Sequence, residues 1–173
     1  MPEILRQLGE LAPGTLVKLN GPMIVARDIA HARFREMIAQ GSPLPEYLKR
    51  HPVCYAGPSK TPDGHVTGSI GPTTAERMDP YMDELMSRGA AMVTIAKGNR
   101  SEVAFKACKE HGGFYLGMIG GAAALLASKH VVSSEIVDFK ECGMEAVRLI
   151  NVRDMPAFII YDNKGGDLYQ VKK

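Results

Sequence analysis

Apolar and polar positions alternate along this chain in short blocks with two periods, one near 2 and one near 3.6 residues. Ile4, Leu5, Leu8 and Leu11 recur at helical spacing, so residues 2–11 read as a short helix or docking arm that Pro13-Gly14 ends. Thr15 to Val25 is rich in β-formers (Leu16, Val17, Leu19, Ile24, Val25), which predicts two strands around an Asn20-Gly21-Pro22 turn. Ile29, Ala30, Phe34, Met37 and Ile38 form one stripe, predicting a helix over 29–40 with Asp28 as its N-cap. Arg27 then stands at a strand-to-helix junction. Pro43, Pro45 and Pro52 bracket a helical piece at 46–50, and Val53 to Ala56 is a strand. Thr61-Pro62-Asp63-Gly64 has turn chemistry at each position and leads into an alternating run, 65–70, read as a further strand.

The second half repeats the scheme. A helix starts at Pro72-Thr73, with a kink or restart at Pro80, because proline inside a regular helix costs roughly 3 kcal/mol. Ala91 to Ala96 is a buried-type strand that runs into Lys97-Gly98-Asn99-Arg100-Ser101 and then a helix, with Asn99 as cap and Glu102 three residues on. Phe114 to Ile119 is a strand, Gly120-Gly121 a tight turn, and 122–129 a small-residue helix. The glycine pair serves either a ligand approaching the backbone or close helix–sheet packing. Val137/Phe139, Leu149–Val152 and Phe158–Tyr161 are separate extended runs. Hairpins mixed with strand–helix units predict an α/β fold, with helices against a mixed sheet and a second β layer. With no repeat and no long linker, residues 1–173 read as one domain, 1–13 forming its N-terminal arm.

Composition narrows the class. At 45% hydrophobic and 23% charged the chain can build a core without staples. A net charge of +2, scattered along the sequence, points away from nucleic acid and membrane surfaces. No apolar run reaches the roughly 18–20 residues of a membrane span, and the N-terminus lacks a signal core, so a cytoplasmic location is expected. Cys54, Cys108 and Cys142 are odd in number and far apart, which suits buried thiols in a reducing compartment rather than disulfides or a metal knuckle.

The stretch with the most chemistry is Gly71-Pro72-Thr73-Thr74-Ala75-Glu76-Arg77. Thr73 and Glu76 fit a capping box, and Thr73 and Arg77 are i and i+4, on one face of a helix. A hydroxyl and a guanidinium beside a helix N-terminus cradle a carboxylate. Three junctions thus carry candidate ligand groups: Arg27, Thr73 to Arg77, and Lys97. If they converge, three cations and two hydroxyls suit a small dicarboxylate, since arginine grips a carboxylate through two parallel bonds. His31, one turn into its helix, is either a packing histidine or part of the site. No carboxylate pair, Ser-His-Asp order or metal-ligand spacing competes.

Taken together, several segments resemble class I fumarate hydratases: Ala26-Arg27-Asp28-Ile29-Ala30-His31, Tyr55-Ala56-Gly57-Pro58, Gly71 to Asp79, and Lys97-Gly98-Asn99-Arg100-Ser101. The resemblance is to their C-terminal domain, or the β subunit of two-chain relatives that include L-tartrate dehydratase. It runs from about Leu16 to Tyr169 and continues through Gly112 to Gly117 and Gly143-Met144-Glu145-Ala146. It implies a three-layer β/β/α swivelling fold with a mixed sheet, and a hydro-lyase that reversibly hydrates fumarate to L-malate. It also implies a four-iron four-sulfur (4Fe-4S) cluster held by three cysteines of the other domain, with one iron open to substrate. By position, Arg27, Arg77 and Lys97 would bind substrate carboxylates and Thr73 would be the base at C3. Thr74, Ala75 and Glu76 would line the same loop, and Asp28, His31 and Asn99 would support it from behind. Lys97, if neutral, is the alternative base.

The cluster-binding half is missing from this sequence, so its own cysteines are not assigned as metal ligands. The expected partner is the cluster-bearing α subunit or N-terminal catalytic domain, in a homo- or hetero-oligomer. Two alternatives remain, an L-tartrate dehydratase β subunit and a non-catalytic anion-binding module. The Lys97-Gly98-Asn99 loop looks like the fumarase version, and retention of Arg27, Thr73, Arg77 and Lys97 together argues for catalysis.

Overall fold

One ten-residue strand, β1 (Leu16–Val25), organises the sheet. The computed structural model describes residues 1–170. In it β1 follows α1 (Pro2–Gly9) and precedes α2 (Asp28–Ala39), α3 (Tyr47–Arg50), β2 (Val53–Cys54), α4 (Asp79–Met86), β3 (Val93–Ala96) and α5 (Glu102–His111). β4 (Phe114–Gly117), α6 (Ala123–His130), β5 (Val131–Asp138) and β6 (Val147–Tyr161) complete the order. Strands β1, β2, β3 and β4 are parallel neighbours in sequence order. β6 runs antiparallel to β4 and also to β1, closing a mixed ring of those five strands, and β5 pairs with residues 147–152 of β6.

Closure gives β2, β3, β4 and the C-terminal end of β1 two buried faces, so side chains there alternate between two apolar layers. Met23, Val25, Cys54, Val93, Ile95, Phe114, Leu116, Ile150 and Ile159 fill the inside of the ring, capped by Leu8 of α1 and Leu126 of α6. Ile24, Val53, Tyr55, Tyr115 and Ile160 face the other way, against Phe34 of α2, Met82 and Leu85 of α4, and Ala104 and Cys108 of α5.

Several expectations change. Residues 15–25 do not turn back at Asn20-Gly21: β1 runs through them with a bulge between Leu19 and Gly21. Gly21 takes φ +100°, and the Asn20 side-chain carbonyl accepts the N–H of Asp154 across the bulge. The 15-residue β6 offers a partner along the whole of β1, and this long pairing replaces a hairpin that Pro22 already disfavours. Likewise 149–152 and 158–161 are one strand. Pro156 fits because it falls between the last β5 pair at Val152 and the first β4 pair at Phe158. Residues 65–70 are a loop rather than a strand, folded back by Ser59 N–H to Ser69 O (3.1 Å) and Ser69 N–H to Ser59 Oγ (3.0 Å).

The predicted helix at Thr73 is also corrected. Residues 71–74 are extended, a 3₁₀ turn spans Ala75–Met78, and α4 restarts at Asp79 with Pro80 in its first turn, as the proline required. No side-chain capping bond forms at either start, so there is no Thr73–Glu76 capping box. α5 has Ser101 rather than Asn99 at its N-cap position, and α2 has Arg27 rather than Asp28.

Two polar groups sit inside the helical layer. Arg100 and Asp79 have side chains 0% and 4% exposed and are joined at 2.6 Å through Arg100 Nε. Arg100 Nη1 donates to Thr94 Oγ1 (3.0 Å), and Asp79 Oδ2 accepts the Ser101 N–H (2.6 Å). The rings of Tyr55 and Tyr115 lie about the guanidinium, 5.2 and 5.0 Å from its carbon. His31 is also buried, its Nδ1–H donating to the Arg27 carbonyl (2.9 Å), with Tyr55 edge-on at 5.0 Å. Burial pushes its pKa down to about 4. Among the described residues no helix is long and apolar enough to cross a membrane.

Arg100→Met, which strands Asp79 as an unpaired buried charge, should cost about 3–5 kcal/mol in urea unfolding. Adding Asp79→Leu to it should recover part of that loss, because no charge is then left without its partner. His31 supplies a second test. Its folded pKa is depressed from 6.5 to about 4, so its contribution is complete above pH 6.5 and lost as pH falls toward 4. Wild-type stability should drop by up to roughly 3 kcal/mol from this group between neutral pH and pH ~4, and His31→Gln should remove that share of the slope.

Candidate functional site

Parallel strands deliver their C-terminal ends to one side of a sheet, and loops leaving those ends are where α/β folds place ligand groups. Arg27 leaves β1, Tyr55 to Gly57 leaves β2, Lys97 leaves β3 and Gly120 follows β4. Glu145 enters the same end from the antiparallel strand, since the β1–β6 ladder pairs Val25 with Arg148.

The Gly71–Thr74 segment is threaded between two of these strand ends. Pro72 bridges Ala56, and Thr73 N–H donates to Tyr55 O at 2.7 Å. On its other side Lys97 N–H donates to Thr73 O (3.1 Å) and Ala75 N–H to Lys97 O (2.9 Å), with Thr74 bridged to Lys97. Thr73 and Lys97 are therefore neighbours through their backbones, an arrangement that the helical i, i+4 expectation missed. Lys97 is half-buried, and its stem crosses Gly120: a Cβ there would lie 3.1 Å from Lys97 Cδ. Gly120 thus makes room for the lysine, while Gly121 takes φ +87° in the turn.

Arg77, in the 3₁₀ turn, reaches back to Asp28, Nη2 to Oδ2 at 2.6 Å. The same Asp28 oxygen is 4.0 Å from Arg27 Nε, so one carboxylate stands between the two arginines. Arg27 Nη2 lies 3.0 Å from Glu145 Oε1, and its Nε is buried with no partner among the described residues. Glu145 has no counterpart among the sequence-derived candidates: its motif was visible, but its partners Arg27 and Ile29 lie more than a hundred residues away. His31 sits beneath, fixing the Arg27 carbonyl, which favours the packing role for it. Ala75 is buried, while Thr74, Glu76 and Asn99 are exposed.

The arrangement brings Arg27 and Arg77 together through Asp28, and Thr73 and Thr74 beside Lys97, all at one open end of the sheet. Cations held in place by carboxylates but left partly exposed can take an anion with little reorganisation. Two cavities of about 670 and 680 Å³ lie elsewhere, one under α1 and one between the 59–69 loop and α6.

The cysteines do not fit a metal cluster. Cys54 is inside the ring and Cys108 in the helical layer, and burial pushes both thiols up to about 12, away from the thiolate a metal needs. Cys142 stands apart from both, half-buried in the loop before β6.

The family model described as Fumarase C-terminus matches residues 1–172. A class I aerobic fumarate hydratase of Escherichia coli (strain K12) is 54% identical over 170 residues, covering 98% of this chain and 31% of that protein. Fumarate hydratase 1, mitochondrial, of Leishmania major is 55% identical over the same length, with the same coverage. A protein of Methanocaldococcus jannaschii, provisionally named as subunit beta of an L(+)-tartrate dehydratase, is 32% identical over 169 residues and is covered over 87% of its own length. The chain spans about a third of the fumarate hydratases it matches and nearly all of the separate β subunit. By the match over residues 1–172 and by its identity to these relatives, the chain belongs to the Fumarase C-terminus family.

Proposed function

We propose that this chain is the substrate-gripping part of a class I fumarate hydratase and works in the reversible hydration of fumarate to L-malate. The observation that carries the reading is the high identity to class I fumarases over 98% of the chain, joined to the gathering of Arg27, Thr73, Arg77 and Lys97 at one sheet end. The two apolar layers, one inside the ring and one under the helices, support a single three-layer β/β/α domain of the swivelling type. The free cysteines support a reducing, cytoplasmic setting.

Each residue then has a task that its position allows. Arg27 and Arg77 bind the two carboxylates of the substrate, with Asp28 setting their spacing. Lys97, held against Gly120, faces the negative charge that grows on a carboxylate when C3 of malate gives up its proton. Thr73 is the base at C3, a hydroxyl that needs activation by its surroundings; a neutral Lys97 is the other candidate. Thr74, Ala75 and Glu76 shape the loop between them. The 4Fe-4S cluster expected of the family belongs on the cluster-bearing N-terminal part or α subunit, because Cys54 and Cys108 lie buried in separate apolar layers of this chain.

The chain alone should be colourless and should not hydrate fumarate; adding the cluster-bearing part without oxygen should restore turnover. Iron bound stoichiometrically to this chain, and lost on changing Cys54, Cys108 or Cys142, would refute that division of labour. The base is decided by exchange of the C3 hydrogen of malate with solvent. Thr73→Val should abolish exchange while malate still binds, and Thr73→Ser should keep part of it. Lys97→Arg keeps the charge but cannot deprotonate near neutral pH. Exchange surviving in Thr73→Val and vanishing in Lys97→Arg would move the base to Lys97.

A further inference from the structure

Glu145 reaches the site from the far side of the ring. Continuing the β1–β6 register beyond Val25–Arg148 sets Arg27 opposite Ala146, which brings the neighbouring Glu145 within reach. The chain can turn there because Gly143 takes φ 58°, ψ −113°, a conformation that glycine supplies at little cost.

Both oxygens of this carboxylate are committed. Oε2 accepts the Ile29 N–H at 2.8 Å, one of the donors that the first turn of α2 leaves unpaired, and Oε1 lies 3.0 Å from Arg27 Nη2. The backbone bond anchors the carboxylate, so it does not swing with solvent. Arg27 is confined on another side by Gly57, where a Cβ would come within 3.0 Å of Nε and 2.9 Å of the Met144 carbonyl. With side chains 23% and 17% exposed, Arg27 and Glu145 are more enclosed than Arg77 and Asp28, at 48% and 38%. A link that served only to tie the loop before β6 onto α2 would need one oxygen; the second is spent on a site cation.

We propose that Glu145 is a positioning residue for Arg27, holding its guanidinium at the angle from which it grips one carboxylate of a small dicarboxylate. The proposal rests on the functional reading above. Arg27 binds ground state and transition state through the same carboxylate, so loosening it weakens binding more than turnover.

In the assembled enzyme, Glu145→Gln should raise KM for fumarate about tenfold and leave kcat within about threefold. Glutamine keeps an oxygen for the Ile29 N–H, so the unfolding midpoint should stay near that of the wild type, whereas Glu145→Ala should lower it. In an Arg27→Lys background, Glu145→Gln should add little to KM, since the two changes break one unit. A readout free of activity is the Arg27 Nε–Hε resonance of the ¹⁵N-labelled chain, sharp and slow to exchange in the wild type and exchange-broadened in Glu145→Gln. An unchanged KM, or a raised KM with that resonance unaltered, overturns the proposal. A wild-type assembly that fails to hydrate fumarate overturns the functional reading instead, and the resonance then decides alone whether Glu145 holds Arg27.

Discussion

The buried pair of Arg100 and Asp79 is the constraint on which the site end of the molecule depends. Asp79 closes the 3₁₀ turn that carries Arg77, and Arg100 lies three residues beyond Lys97, so their 2.6 Å contact adds a buried side-chain tie between two ligand-bearing loops that backbone bonds at Thr73, Ala75 and Lys97 also join. Two charges inside an apolar layer are tolerated because further partners share them: Thr94 Oγ1, the Ser101 N–H and the faces of Tyr55 and Tyr115. A hydrophobic pair of similar volume could fill the same space, but it would not add a directed tie between the Lys97 and Arg77 loops. Register is the contribution of this pair, more than stability.

The outer layer of charge is built differently. Arg77 with Asp28 and Arg27 with Glu145 are partly exposed, where ion pairs contribute about 0–1 kcal/mol each. Their weight lies in direction: each guanidinium is held by a carboxylate of this chain at a strand end. An anion arriving there meets cations already oriented, and the polar network beneath them is not disturbed.

Much of the fold was legible because local rules and tertiary context agreed. Helical spacing placed α1, α2 and α5, proline placed the restart at Pro80, and apolar runs placed β3 and, as two separate pieces, parts of β6. The failures share a cause. Asn20-Gly21 has hairpin chemistry, but a 15-residue partner strand spans it and turns it into a bulge. The alternation in 65–70 looks like a strand, yet among the described residues no strand pairs with it and the loop closes on itself through Ser59 and Ser69.

The same division holds at the site. Sequence by itself determined which residue types are present and that Arg27 and Lys97 stand at strand-to-helix junctions, because side-chain chemistry and junction signals are local properties of the chain. Tertiary structure alone decided that Thr73 lies extended between Tyr55 and Lys97, that Asp28 stands between two arginines, and that Glu145 reaches Arg27 and Ile29. The Glu145 contacts depend on β1–β6 register, which brings together segments more than a hundred residues apart, and the others on the parallel order of β1, β2 and β3. No local periodicity can encode that distance; only the paired strands measure it.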